Sequence, residues 1–179
     1  FSCFPKYRIE VSNMQPISLS RILIHWADQQ PEKIAISNED ESITWRQLEL
    51  DSNRLARAYS ALGVNENDFV TIALPNGIEF FTSCFATWKL GATPQPVSAK
   101  LPKFERDQII ELGKPGLVVG VDDNGNNNDH ATQAIPIGFS PSLDLSDVPL
   151  EEKTATSFKA MTSGGSTGRP KLIVAANPA

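Results

Sequence analysis

The residues whose types and spacing could do chemistry are gathered in "TSGGSTGRPK", residues 162 to 171. Gly164, Gly165 and Gly168 tolerate the positive backbone angles at which successive N–H groups converge into an anion-holding nest. Ser163, Ser166 and Thr167 add hydroxyls within reach of phosphate oxygens, and Arg169 and Lys171 add positive charge beside them. Pro170 fixes its own backbone angle and restricts Arg169, which stiffens the exit from the loop. The combination suits a polyphosphate. It is not the Walker A pattern, because Arg169 follows Gly168 where that pattern needs Lys and then Ser or Thr, and no helix is expected after it. The same composition also fits a plain Gly/Ser hairpin with two solvated cations, so composition alone leaves both readings open.

The elements that must position this loop can be read from periodicity. Leu19, Ile22, Leu23, Trp26 and Ala27 share one helical face between Pro16 and Pro31, which predicts an amphipathic first helix. "KIAISNEDESITW" reads as two short strands around the turn at Asn38 to Glu41. Thr44 and Gln47 have capping-box spacing, and Leu48, Ser52, Leu55, Tyr59 and Leu62 mark the inner face of a second helix that Gly63 ends. "DFVTIALP" (68–75) is apolar on both faces, as in a strand covered on both sides, and Asn76 can cap the helix after it. That helix is expected to turn Ile78, Phe81, Cys84, Phe85 and Trp88 inward and to close at Gly91. "ATPQPVS" follows as an extended piece, "LPKFERDQIIEL" as a helix and "GLVVGV" (116–121) as a buried strand.

Strand and helix therefore alternate at crossover spacing, which predicts an α/β fold with a mainly parallel sheet flanked by helices. "DDNGNNND" (122–129) breaks the rhythm and reads as an exposed loop. It does not meet calcium-loop spacing, since Gly125 is not sixth and no Glu closes the run. Residues 132–156, with Pro136, Pro141 and Pro149, read as an irregular connection. "TSFKAMT" and "KLIVAA" are strand candidates on either side of the glycine-rich stretch, making it a strand-loop-strand turn.

Composition narrows the function classes. The 179 residues, 40% hydrophobic and 21% charged, are those of an ordinary globular chain able to bury roughly two thirds of its unfolded surface. A formal charge of -5 argues against binding a nucleic-acid backbone, which needs clustered Lys and Arg. Any anion must be held locally. Cys3 and Cys84 are the only cysteines and have neither disulfide nor zinc spacing, so a reducing, cytoplasmic setting is expected. Pro75, Asn76, Glu79, Lys89 and Pro94 interrupt the most apolar region, so no transmembrane segment is expected. Residues 1–16 lack the continuous apolar core of a secretory signal and read as an extension ahead of the domain. The chain begins with Phe1, which leaves open a start at Met14 or a window on a longer sequence. His25 and His130 have no motif around them and are not catalytic candidates.

The order of residues within the loop is more specific than its composition. "TSGGSTGRPK" resembles the phosphate-binding signature of the adenylate-forming superfamily, which holds acyl-CoA synthetases, aryl-acid ligases, non-ribosomal peptide adenylation domains and luciferases. The family form is Thr or Ser, Ser or Gly, Gly, Ser or Thr, Thr, Gly, any residue, Pro, Lys. Ser163, Gly164, Gly165, Ser166, Thr167, Gly168, Arg169, Pro170 and Lys171 match it without gaps. Gly164 stands where serine is commoner, a variant associated with aryl-acid and bile-acid or related CoA ligases. Upstream, "ITWRQL", "NDFV", "PN" before a helix and "LGATP" are similar to the family's amino-terminal half, with Asn67 replacing its usual glycine. The likeness runs from about Ile17 to the end, and residues 17–179 read as the first part of the family's large amino-terminal domain.

The resemblance implies a function in two half-reactions. A carboxylate attacks the α-phosphorus of ATP to give an acyl-adenylate and pyrophosphate, and a thiol, often that of coenzyme A, then displaces AMP. Ser166 and Thr167 would bond the β- and γ-phosphates, Gly165 and Gly168 would admit the backbone, and Lys171 would neutralise charge, with Mg2+ assisting. Arg169 would face solvent. Trp45, Leu48, Phe81 and Trp88 read as core residues. The family's magnesium-binding Glu, ribose-binding Asp, acyl pocket and catalytic Lys correspond to sequence beyond Ala179, so this chain alone is expected to be inactive. The expected partners are ATP and a small-molecule carboxylic acid. The competing expectation is a non-catalytic protein that keeps the scaffold for nucleotide or partner binding.

Overall fold

The computed structural model describes residues 17–121, 132–163 and 170–179. The extension at 1–16, the loop at 122–129 and His130 lie outside them. The elements run α1 (Leu19–Gln29), β1 (Ile34–Ser37), β2 (Ser42–Thr44), α2 (Trp45–Ala61), β3 (Phe69–Ile72), α3 (Ile78–Lys89), β4 (Thr93–Pro96), α4 (Lys103–Gly113), β5 (Leu117–Val119), β6 (Gln133–Ile135), β7 (Ala160–Ser163) and β8 (Lys171–Val174). The fold is α/β, and the expected alternation of strand and helix is present from β3 to β5.

The central sheet has the order β4-β3-β5-β6 and every pair in it is parallel. Val70, Ile72, Leu74, Leu117 and Val119 pack on Leu55, Tyr59, Cys84 and Ala86 of α2 and α3. The opposite face carries Ala73, Val118 and Val121, packed with Ile110 of α4. A smaller cluster of Leu23, Ile43 and Leu48 joins α1, β2 and α2, beside stacked rings of Trp26 and Trp45 with centroids 5.8 Å apart. Chain order reverses around β3: β4 lies on one side of it and β5 on the other. A parallel α/β sheet binds its ligands outside the carboxyl ends of strands near such a reversal.

Sheet chemistry fixes what can lie beside β4, the edge strand. The N–H groups of Thr93 and Val97 donate to Asp68 and Ile72 carbonyls on the β3 side, both consistent with a parallel ladder. The alternate positions, Pro94 and Pro96, therefore turn their nitrogens outward, and proline has no N–H to offer a further strand. The β7–β8 pair is accordingly a separate antiparallel sheet, adjoining β4 without extending its ladder.

Several local expectations change on folding. Thr44 caps α2, its Oγ1 accepting the Gln47 N–H at 3.2 Å, but the Gln47 side chain donates to Asp51 at 2.7 Å and does not return to the cap. Asn76 does not cap α3; Gly77 does, with φ 171° and no side-chain bond. The helix thus begins one residue later than the sequence suggests, with Glu79 in its first turn. Phe81 is 42% exposed and stacks edge-on against Phe80. Helix α3 is instead buried on several sides by Thr82, Ser83, Cys84, Ala86, Thr87 and Lys89, because it sits between α1, α2 and the sheet and has no single inner stripe. Finally, the connection at 132–156 is not wholly irregular: Gln133–Ile135 forms β6 along β5. This edge strand is too short to show a period, and Pro136 follows it at once.

Candidate functional site

The stretch singled out by chemistry links β7 and β8, from Thr162 and Ser163 in β7 to Lys171 in β8. Their register pairs Ala160 with Val174, Met161 with Ile173, Thr162 with Leu172 and Ser163 with Lys171. Ser163 and Lys171 therefore meet across the base of the loop, and the Lys171 backbone N–H donates to Ser163 Oγ at 3.3 Å. Gly164, Gly165, Ser166, Thr167 and Gly168, with Arg169, lie outside the described residues. Of the candidate phosphate ligands, then, the fold places Ser163 and Lys171 together, with Lys171 exposed at the strand end.

The hairpin continues below its ladder. The Ala175 N–H donates to the Lys159 carbonyl at 3.0 Å, Phe158 N–H to Asn177 at 3.0 Å and Ala179 N–H to Ala155 at 3.0 Å. Ala155, Ser157 and Ala160 are buried, so the root of the hairpin is embedded, while Met161 and Lys171 towards the far end of the strands are exposed.

A cleft of about 540 Å³ opens beside that end. One wall is the carboxyl end of β4 and the start of α4, including Val97, Ser98, Phe104, Glu105 and Gln108; the other is Thr162, Ser163 and Pro170. Its volume is that of a small-molecule site, and its lining mixes apolar side chains with a few polar ones. Sequence reasoning did not single out Ser98, Glu105 or Gln108. The available signal was weak: Glu105 and Gln108 stand three apart on one side of a short helix, a spacing that any solvated face also shows.

The shifted titrations belong to the core, away from this cleft. Burial raises Tyr59 far above the ordinary phenol value, against its bond to Ser83 Oγ. Burial also pushes the Cys84 thiol up to about 12. Lys89 is lowered, chiefly by burial, although Glu49 opposes the shift. Among the described residues no group of three or more His, Cys, Asp or Glu could hold a metal ion, and no helix is long and apolar enough to cross a membrane.

The fold is a four-stranded parallel α/β sheet with a separate antiparallel β7–β8 pair beside its β4 edge. The family model described as "AMP-binding enzyme" matches residues 23–177, and the chain belongs to that family of adenylate-forming enzymes. It is similar to a dimodular nonribosomal peptide synthase of Bacillus subtilis (strain 168), 27% identical over 170 residues that cover 88% of this chain and 7% of that protein. Among solved structures it resembles the o-succinylbenzoate CoA synthetase of Bacillus subtilis in complex with an acyl-adenylate intermediate. The TM-score is 0.69 at 25% identity, covering 84% of this chain and 40% of the other. The fold is also that of a Mycobacterium tuberculosis fatty acyl CoA synthetase, with a TM-score of 0.74 at 22% identity over 89% of this chain and 34% of that one. The chain thus spans well under half the length of these proteins.

Proposed function

We propose that residues 17–179 form the phosphate-holding part of an adenylation domain, with residues 1–16 as an extension ahead of it. The enzyme activates a carboxylic acid as its acyl-adenylate, releases pyrophosphate and transfers the acyl group to the thiol of coenzyme A. The observation that carries this reading is the motif order Ser163 to Lys171 between two antiparallel strands, with those two terminal residues paired. In this reading Ser163, Gly164, Gly165, Ser166, Thr167, Gly168 and Lys171 hold the β- and γ-phosphates of ATP. Preorganised donors and one cation there stabilise the charge that shifts onto the leaving pyrophosphate.

Magnesium fits this arrangement only as an ion carried largely on phosphate oxygens. Glu105 is the carboxylate that lines the cleft, and Mg2+ commonly takes one or two carboxylates plus substrate phosphates. When bound, the ion would supply charge neutralisation at those oxygens. The likeness to a nonribosomal peptide synthase favours a second acceptor, the thiol of a carrier protein, in place of coenzyme A.

The test is acid-dependent turnover of ATP by the protein containing this chain. AMP and pyrophosphate are expected, with Lys171→Ala lowering kcat/KM by roughly 10² to 10³, as for loss of one preorganised stabilising group. Release of ADP, or turnover indifferent to Lys171, refutes the proposal. Supplying coenzyme A or a pantetheinylated carrier in turn separates the two acceptors.

A further inference from the structure

We propose that Trp88 and Thr93 are positioning residues for the phosphate loop, acting as two side-chain hooks that set the angle of its hairpin against the sheet. The inference rests on the reading of residues 163–171 as a phosphate site. Trp88, near the end of α3, donates its indole N–H to the Phe158 carbonyl at 2.9 Å. Thr93, the first residue of β4, donates its hydroxyl to the adjacent Ser157 carbonyl at 3.0 Å. Thr93 and Ser157 are each 1% exposed, so that hydroxyl bond is shielded from water and its loss leaves a buried carbonyl without this donor.

These hooks matter because, among the described residues, no main-chain ladder joins the sheet to the hairpin. Strand β4 faces the hairpin side with Pro94 and Pro96, whose nitrogens cannot donate. A main-chain ladder would fix orientation at every second residue; here two donors, from a helix and from a strand, grip successive carbonyls in its place. Ser157 carries the grip into the hairpin itself, its Oγ bonding the Lys159 carbonyl at 2.8 Å.

The lever is long. Ser157 and Phe158 precede Ser163 by six and five residues, about 17–20 Å along an extended chain at about 3.3 Å per residue. A tilt of about 5° at the root carries the turn end through about 1.5 Å on that length. Displacement of about 1 Å at a reacting centre is enough to cost roughly a hundredfold in rate. Removing the hooks therefore impairs phosphate holding without touching any group that meets phosphate.

The experiment is titration of the isotopically labelled chain with magnesium pyrophosphate, followed by amide chemical shifts well below the thermal midpoint. Four variants are compared: Thr93→Val, which keeps the shape and deletes the hydroxyl; Thr93→Ser, which restores it; Trp88→Phe, which keeps a ring and deletes the N–H; and Lys171→Ala. Thr93→Val and Trp88→Phe are each expected to weaken pyrophosphate about tenfold, as for the loss of one hydrogen bond to a charged group, with Thr93→Ser close to the parent. A purely structural role would lower the thermal midpoint and leave the affinity of the folded fraction unchanged, and that result overturns the inference. If Thr93→Val does not fold, Trp88→Phe carries the test on its own. Weakening in Lys171→Ala but in neither hook variant overturns this inference alone. No effect of Lys171→Ala removes the phosphate reading and this inference with it.

Discussion

The interior between α2 and α3 holds an ion pair whose removal should be costly. Lys89 Nζ donates to Glu49 Oε2 at 2.6 Å and to Asn53 Oδ1 at 2.8 Å, and the two charged side chains are 3% and 7% exposed. Asn53 Nδ2 donates to Glu49 Oε1 at 2.9 Å and to the Asp147 carbonyl at 2.7 Å, so the cluster also ties down the chain that leads towards the hairpin. Lys89→Met removes one charge and two hydrogen bonds and leaves the Glu49 carboxyl group in the interior without its cation, with the Asn53 amide as its remaining partner. Breaking a buried pair from one side costs about 3–5 kcal/mol. In a chain of this size that lowers the thermal midpoint by about 6–20 °C, at about 2–4 °C per kcal/mol. The double variant Lys89→Met/Glu49→Leu deletes both charges and should recover most of the loss, since apolar replacement of a buried pair is often neutral or better.

Denaturant titration of both single variants and the double variant measures this coupling. The pH dependence gives an independent sign. Burial holds the Lys89 ammonium below the ordinary value of about 10.4, so between the two values the unfolded chain binds more protons than the folded one. Lys89 therefore makes stability rise with pH as the pH climbs through that window towards about 10.4, and the Lys89→Met variant lacks this rise. A loss below about 1 kcal/mol in Lys89→Met, or a double variant no better than the single, would refute the reasoning.

Cys84 should resist thiol reagents in the folded protein, because its thiol is buried and pushed up to about 12. In a Cys3→Ser background, labelling should follow the unfolding rate. The same shift makes stability fall from about pH 8.5, where the unfolded thiol ionises, until the pH reaches about 12, and a Cys84→Ala comparison isolates that loss. Gly120→Ala should cost about 3 kcal/mol or more by chemical denaturation, since Gly120 has φ +87° and an added Cβ would lie 2.5 Å from the Ala73 carbonyl oxygen. Gly63→Ala, at φ +97° with nothing within 4 Å, should cost only about 1 kcal/mol. Equal losses at the two glycines would mean that the close approach of β3 and the turn after β5 is not what Gly120 serves.

A helix is legible in the sequence when one side of it alone is buried. Helix α2 shows this: Leu48, Ser52, Leu55 and Tyr59 recur at helical spacing and all are buried, while Thr44 marks its start through a bond made within the same turn. Helix α3 does not, because tertiary packing buries polar and small residues around most of its surface, and a stripe drawn through Ile78, Phe81 and Phe85 misplaces Phe81. Strand β6 is held by its pairing with β5 and carries no period of its own, with exposed Gln133 and half-buried Ala134 ahead of buried Ile135.

The same distinction explains what could be read of the site. A loop that holds phosphate needs particular residue types in sequence, so its candidates appear as the run Ser163 to Lys171. The devices that orient it work through single backbone carbonyls, and any residue supplies a carbonyl. Ser157 and Phe158 consequently carry no compositional mark, and the donors that reach them, Trp88 and Thr93, read as ordinary members of a helix and a strand. What could be inferred is their necessity: two prolines at alternate positions of "TPQP" deny β4 its outward donors, so a hairpin beside it must be tied by side chains. The prolines are thus the sequence trace of an architecture in which the loop stands on its own small sheet. Replacing Pro94 with Ala would restore one outward N–H and let the neighbouring chain compete for it, and a shift in pyrophosphate affinity from that change, with the Trp88 and Thr93 bonds intact, would show that hairpin angle and phosphate holding are coupled.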